Sequence, residues 1–232
     1  MIRELVLLPG MDGTGNLFKA FREALPERLQ TTTARYPTDV YLSYSQLVDL
    51  VQSIVPPNDP YVILAESFST PLAIQCARMN PSNLKGLVIC AGFAASPIRG
   101  WLRILAFILA PLLLRMKLPN FAVKHWLVGH DADKSLQADV RSAIASVRPS
   151  VLSSRAQAVL GCDSRSDLRR IGVPILYMQA KQDRIVDASS LEDIRQRRPD
   201  ASVIALDGPH LLLQSKPIQA AEAVMQFLQQ LA

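Results

Sequence analysis

The stretch LAESFST, residues 64–70, joins a predicted strand to a predicted helix. The apolar run that precedes it indicates a buried strand, and a helical pattern begins at its last residue. A serine on such a sharp turn needs small residues two positions before it and two positions after it. Ala65 and Ser69 occupy these positions, where the commoner form of the turn has glycines. We interpret Ser67 as a candidate nucleophile, although the pattern alone also occurs by chance.

Strand and helix patterns alternate through most of the chain, which indicates a parallel sheet with helices on both faces. Strands are predicted at residues 5–8, 32–36, 61–65, 87–91, 173–178 and 202–206. Helices are predicted at residues 16–25, 44–54, 70–79, 189–197 and 216–231. We therefore predict an α/β fold with a mainly parallel sheet of about six strands flanked by helices.

One long interval, residues 94–160, interrupts this alternation. It has no strand pattern, but it contains an apolar run at residues 101–114 that is too short to span a bilayer. We predict an inserted helical lid here, above a core made of residues 1–93 and 161–232. The side chains of the lid that we assign to substrate binding are Trp101, Leu105, Phe107 and Ile108.

The basic charge of the chain is concentrated in residues 94–160. This interval holds nine Arg or Lys residues and three Asp residues, an excess of +6, whereas the whole chain carries +5. Solvated helix faces explain such a surplus most simply. The alternative is contact with an acidic partner: a membrane surface, an acyl carrier protein or an anionic substrate. Nucleic acid is not predicted as a partner, because no recognition motif accompanies the modest surplus.

A nucleophilic serine needs a base that is held in place by a third group. The chain has three histidines, of which His125 and His130 fall in the predicted lid. His210 follows the last predicted strand, where loops reach the carboxyl edge of the sheet, and it is the candidate base.

A carboxylate must orient that imidazole and stabilise its charged form. Asp183 follows the strand that precedes the His210 strand, and it is our candidate. Asp187 and Asp207 are rival carboxylates in neighbouring positions.

The glycine-rich stretch LLPGMDGTG, residues 7–15, links the first predicted strand to a helix. Glycines let the backbone approach a phosphate or an oxyanion closely. The spacing does not fit a dinucleotide-binding motif, and no Gly-Lys-Ser/Thr sequence is present. We therefore predict an oxyanion hole formed by the backbone N–H groups of Met11 and Phe68, with a plain tight turn as the alternative.

Together these motifs resemble the α/β-hydrolase superfamily over residues 5–231, with the chain order Ser, Asp, His that these proteins have. Pro9 precedes Gly10 here, whereas a His-Gly pair is commoner at these two positions. This variant is similar to one in a lipid-acyltransferase branch that includes plant phytyl ester synthases. The resemblance implies a triad hydrolase, and this chemistry needs no metal and no organic cofactor.

These observations predict a serine esterase that forms an acyl-enzyme. Its substrate would be a small-molecule or lipid-like carboxylic ester with a medium or longer hydrophobic acyl group. An acyltransferase or a thioesterase would use the same residues, and a non-catalytic binding protein with this fold is a further alternative. The presence of all three triad residues favours an enzyme.

The cysteines and the N-terminal residues indicate the cellular compartment in which the protein is expected. Three cysteines at no metal-binding spacing predict neither a disulfide framework nor a zinc site. The first residues show no leader pattern. We expect a cytoplasmic protein, with peripheral membrane contact through the basic lid as an option.

Overall fold

A single sheet of six parallel strands forms the centre of the protein, in the order β2-β1-β3-β4-β5-β6. The computed structural model describes residues 2–98, 100, 121, 123–129 and 132–231. The strands are β1 (Glu4–Leu8), β2 (Gln30–Thr33), β3 (Tyr61–Glu66), β4 (Leu84–Cys90), β5 (Ile175–Ala180) and β6 (Ser202–Leu206). This architecture confirms the predicted fold class.

Helices pack on both faces of the sheet. One core contains side chains of α2 (Tyr44–Ile54), α3 (Thr70–Arg78) and α7 (Ser189–Arg195). The opposite core contains side chains of α1 (Lys19–Ala24) and α9 (Pro217–Gln230). The other α-helices described are α4 (Lys134–Ala145), α5 (Pro149–Gly161), α6 (Arg165–Leu168) and α8 (Leu212–Ser215). Because helices cover both faces, β1 and β3 in the middle of the sheet are buried along their whole length and are apolar except for Glu4 and Glu66.

The second strand differs from its prediction, which had placed it at residues 32–36. It begins at Gln30 and ends at Thr33, and it lies at the edge of the sheet, where it pairs with β1 alone. Its residues, one glutamine and three threonines, are partly exposed, so it lacks the apolar run that marks the inner strands. After β2 the chain turns towards the loop that follows β1, where the Tyr36 amide donates to the carbonyl of Gly13 at 2.8 Å.

The described parts of residues 94–160 contain helices joined by short irregular segments, with an isolated β-bridge between Ala95 and Asp163. They include α4, α5 and a π-helical turn at Val123–Val128. The two ends of the interval lie side by side, because the Ser164 amide donates to the Ala94 carbonyl at 2.7 Å. The division into core and lid stays a prediction, and the predicted substrate-binding side chains Trp101, Leu105, Phe107 and Ile108 lie outside the described residues.

Two further features bear on the sequence predictions. Cys76, Cys90 and Cys162 are all buried and form no disulfide.

Within the described residues, every helix is too short or too polar to cross a bilayer.

Candidate active site

Ser67 sits on a strained turn directly after β3. Its φ of 47° lies in the left-handed region, which residues other than glycine adopt only with a loss of conformational free energy. Such backbone strain persists only where the surrounding structure enforces it. A 3-10 turn at Ser67–Ser69 leads straight into α3. Ala65 and Ser69 are fully buried on either side of the turn. The geometry thus gives the physical reason for small residues at these two positions.

Ser67, His210 and Asp183 form a row of hydrogen bonds. His210 Nδ1 lies 2.8 Å from Asp183 Oδ2, and His210 Nε2 lies 2.9 Å from Ser67 Oγ. A carboxylate accepts hydrogen bonds only, so Nδ1 carries the proton and Nε2 accepts from the serine hydroxyl. The imidazole is 4% exposed. The three residues that the sequence singled out therefore meet at the carboxyl ends of β3, β5 and β6.

The Asp183 carboxylate is held by its own loop. Its Oδ1 accepts hydrogen bonds from the amides of Ile185 and Val186, at 2.8 and 2.9 Å, which leaves Oδ2 to face His210. The rivals point elsewhere: Asp187 accepts from the Ser189 amide and Asp207 accepts from the Gln182 side chain.

Of the other two histidines, His125 contacts the guanidinium of Arg184 with its imidazole. His130 lies outside the described residues.

Met11 and Phe68, the predicted oxyanion-hole donors, flank the serine. Met11 lines the same cavity as Ser67 and His210, and Phe68 follows Ser67 in the chain. Within the described residues, the Met11 N–H has no hydrogen-bond acceptor. Their role as donors to an oxyanion remains a prediction.

Glu66, which precedes Ser67, is a buried carboxyl group that sequence reasoning missed. The Gln214 side-chain amide donates to its Oε2 at 3.3 Å, and among the described residues its buried Oε1 has no hydrogen-bond partner. Burial raises the pKa of Glu66 to about 7, against an opposing effect of the Gln214 hydrogen bond. A single acidic residue at the end of an apolar strand pattern was the signal available in the sequence.

An apolar cavity of about 270 Å³ opens beside Ser67 and His210. Six of its lining side chains are Leu17, Leu127, Val140, Ile144, Leu152 and Leu211. The sequence analysis did not assign these residues to the site. Val140 and Ile144 belong to an amphipathic helical pattern at residues 136–147, so one side of the cavity is formed by the apolar face of α4. In the part of the chain that the structure describes, no three His, Cys, Asp or Glu side chains are grouped to hold a metal ion.

Comparison with known families and structures gives two results. A family model described as "Serine aminopeptidase, S33" matches residues 32–214. No curated protein matches the chain in sequence.

Solved structures share the whole fold. A hydrolase from Oleispira antarctica superimposes with a TM-score of 0.82 at 12% identity, covering 99% of this chain and 92% of that one. An esterase from Exiguobacterium antarcticum gives 0.77 at 14% identity, with 98% and 92% covered. An enol-lactonase from Burkholderia xenovorans LB400 also gives 0.77 at 14% identity, with 99% and 92% covered. At these identities the likeness establishes the fold alone.

Proposed function

The chain belongs to the serine aminopeptidase S33 family of α/β-hydrolases, and from this premise we propose that it is a serine hydrolase of carboxylic esters with a medium or longer acyl group. The observation that carries the proposal is the row of hydrogen bonds from Ser67 through His210 to Asp183. Its members come from three loops at one edge of the sheet, so the arrangement depends on the fold and not on sequence proximity.

The proposed reaction follows from the protonation states in this row. His210 Nε2 takes the proton of Ser67 as Oγ attacks the ester carbonyl, and Asp183 stabilises the imidazolium that forms. The amides of Met11 and Phe68 donate to the developing oxyanion. His210 then returns the proton to the leaving alkoxide, which departs as the alcohol. Water, activated by the same imidazole, adds to the acyl-enzyme and releases the acid.

The lining of the cavity favours an ester over a peptide N-terminus as substrate. An α-amino group needs an acidic side chain that is available to pair with it. Of the described residues that line the cavity, only Asp12 is acidic; it is buried, 7% exposed, and its Oδ2 accepts from both the amide and the hydroxyl of Thr14. The remaining surface is mostly apolar, which suits an acyl chain.

The size of the cavity favours a medium acyl group over a long one. Small-molecule sites usually measure about 300–1,000 Å³, and the described cavity of about 270 Å³ lies just below that range. Each buried methylene contributes about 0.8 kcal/mol, which corresponds to a gain of up to about fourfold in kcat/KM. We expect this gain to stop once the cavity is full.

The test is a kcat/KM series on p-nitrophenyl esters from acetyl to palmitoyl. We expect a rise from acetyl to medium chains, complete dependence on Ser67, and labelling of Ser67 by a fluorophosphonate probe. Ser67→Ala should remove both turnover and labelling, while Ser142→Ala, at an exposed serine of α4, should retain both. Absence of hydrolysis, or labelling that survives in Ser67→Ala, would contradict the proposal. A carrier-bound octanoyl thioester and an added alcohol, tested in parallel, separate thioesterase and acyltransferase activity from esterase activity.

A further inference from the structure

Arg155 is a buried cation that crosses from α5 to the loop after β1. It is 1% exposed, although the sequence analysis counted it in the basic surplus of residues 94–160. Its Nη1 donates to the carbonyls of Met11 and Asp12, both at 2.8 Å, and its Nη2 donates to the carbonyl of Pro37 at 2.8 Å. Burial of a charge is costly unless hydrogen bonds compensate it. Arg155 therefore serves neither a solvated surface nor an acidic partner.

The same guanidinium also lies against the turn that carries Ser67. Its central carbon is 5.9 Å from the ring centroid of Phe68 and 5.7 Å from that of Tyr36. These distances are within the range of cation–π attraction. Phe68 provides one predicted oxyanion donor and Met11 provides the other, so one side chain contacts both segments.

Gly13 makes room for this guanidinium. A Cβ at position 13 would lie 2.7 Å from Nη1 and 2.9 Å from Nη2 of Arg155. Gly13 also has a φ of 69°, a conformation that favours glycine. The glycine that the sequence analysis associated with an approaching oxyanion thus accommodates Arg155.

The remaining carbonyls of the oxyanion loop, defined here as residues 9–14, also face the protein. The Ser69 hydroxyl donates to the Pro9 carbonyl at 2.5 Å, and the Tyr36 amide donates to the Gly13 carbonyl at 2.8 Å. Because each peptide unit is planar, fixing the Met11 and Asp12 carbonyls orients the two peptide planes on either side of Asp12. The Met11 N–H lies in the preceding plane, together with the Gly10 carbonyl, which accepts from the Gly13 amide at 3.0 Å. Arg155 packs against Gly13 and holds the Met11 carbonyl, so it acts on the orientation of the Met11 N–H from both ends of this turn.

We propose that Arg155 is a positioning residue of the active site, which holds the oxyanion loop so that the Met11 amide faces the substrate oxygen. This inference rests on the proposed function. Preorganised donors act on the charge that develops in the transition state, and loss of one such donor typically lowers kcat by about 100- to 1,000-fold. Loss of the residue that orients a donor should have a smaller effect of the same kind.

The experiment compares Arg155→Met and Arg155→Lys with wild type, using Arg148→Gln as the control. Arg148 is the exposed residue at the N-terminus of α5, and among the described residues its guanidinium makes a single long hydrogen bond, 3.5 Å to the Asp39 carbonyl. We expect kcat on the best ester to fall about 10- to 100-fold in Arg155→Met, with KM changed less than threefold. Arg155→Lys keeps the charge but not the planar fork, so its loss should be intermediate. Arg148→Gln should stay within twofold of wild type.

A second measurement distinguishes positioning from a purely structural role. A trifluoromethyl ketone forms a tetrahedral adduct with the serine, whereas the methyl ketone of the same chain reports ground-state binding. In the Arg155 variants, affinity for the trifluoromethyl ketone should fall in proportion to kcat, and affinity for the methyl ketone should not. If folded Arg155 variants keep kcat within twofold, or lose affinity for both ketones equally, the assignment is wrong. Should Arg155→Met fail to fold, Arg155→Lys decides by the same criteria.

Failure of the proposed function has a different signature. Wild type and Arg148→Gln would then hydrolyse no ester of the series. If their Ser67 still reacts with the fluorophosphonate, the labelling rate replaces kcat as the readout for Arg155. If Ser67 does not react either, both the proposed function and the role of Arg155 are wrong.

Discussion

The turn that carries Ser67 and the oxyanion loop lie at the carboxyl ends of the adjacent strands β3 and β1, but they are built differently. The turn has a local sequence signal, a strand end followed at once by α3, although Tyr44 and Arg155 also contact its Phe68. The oxyanion loop is held by distant side chains: Ser69 binds it from 60 residues away and Arg155 from 143. The active site thus combines one segment that is recognisable from its own sequence with one whose support comes from distant residues.

This contrast has a consequence for mutations. Changes in the row of Ser67, His210 and Asp183 should remove chemistry and leave the fold intact. Changes in the support of the oxyanion loop should affect turnover and stability together, because the same hydrogen bonds serve both.

The largest expected effect tests the first half of this contrast. Asp183→Asn replaces the carboxylate that fixes the proton on His210 Nδ1, so the imidazole is free to adopt the wrong tautomer. We expect kcat to fall about 1,000- to 10,000-fold, with the midpoint of thermal unfolding nearly unchanged. Steady-state kinetics and thermal denaturation measure the two quantities.

The matched control for Asp183→Asn is Asp207→Asn. Asp207 is exposed and accepts a hydrogen bond from the Gln182 side chain, away from His210. Its substitution should leave kcat within about twofold. Equal losses of kcat in the two variants would mean that Asp183 is not the carboxylate that orients His210.

The next effect tests the second half of the contrast. Gly13→Ala crowds the Arg155 guanidinium and places a side chain at a φ of 69°. We expect kcat to fall about 10-fold or more, and the free energy of unfolding to fall by about 1–2 kcal/mol, from backbone strain. Urea denaturation and ester turnover on one preparation show whether the two losses occur together.

Gly161→Ala is the control for this substitution. Gly161 lies at the end of α5, and a Cβ there would meet no atom within 4 Å. Alanine at a helical position should be neutral or stabilise the protein by up to about 1 kcal/mol, with turnover unchanged. Full activity in Gly13→Ala would show that the loop tolerates displacement of Arg155.

The sequence predicted the turn and the triad because their signals are local or follow from strand order. Ser67 lies in a short motif, and Asp183 and His210 each come directly after a strand. The support of the oxyanion loop could not be predicted in this way. Nothing in the neighbourhood of Arg155 distinguishes it from the exposed arginines of the same interval, since burial of its guanidinium depends on how α5 packs over the loop. Likewise, β2 was misplaced because its residues, one glutamine and three threonines, form no apolar run, unlike those of the other edge strand, β6.

Glu66 gives a pH-dependent effect on stability at the junction of the two segments. Burial raises the pKa of its carboxyl group from 4.5 to about 7, so the folded protein keeps a proton there that the unfolded chain has released. Stability attributable to this group is therefore highest below about pH 4.5, declines as the pH rises, and levels off above about pH 7. The total decline corresponds to roughly 3 kcal/mol in the free energy of unfolding.

Glu66→Gln removes this titration and keeps a side-chain oxygen for the Gln214 donor. Urea denaturation of both proteins from pH 4.5 to 8 should show that the variant gains stability relative to wild type as the pH rises. Glu222→Gln, on the exposed face of α9, should follow wild type throughout. Parallel curves for wild type and Glu66→Gln would mean that the carboxyl group titrates normally.

The smallest expected effect concerns the basic surface of residues 94–160, for which we propose contact with acidic or carrier-bound substrates. Lys134 and Arg141 are exposed on α4, whose Val140 and Ile144 line the cavity. Charges at a surface act over about 10 Å at 0.1 M salt, and they change the rate of encounter more than the chemistry. The double variant Lys134→Gln/Arg141→Gln should therefore lower kcat/KM for a carrier-bound substrate by about two- to fivefold at low salt, and by less at 0.5 M salt. Turnover of a neutral ester should not change. Equal losses on both substrates, independent of salt, would leave these residues as solvated helix surface.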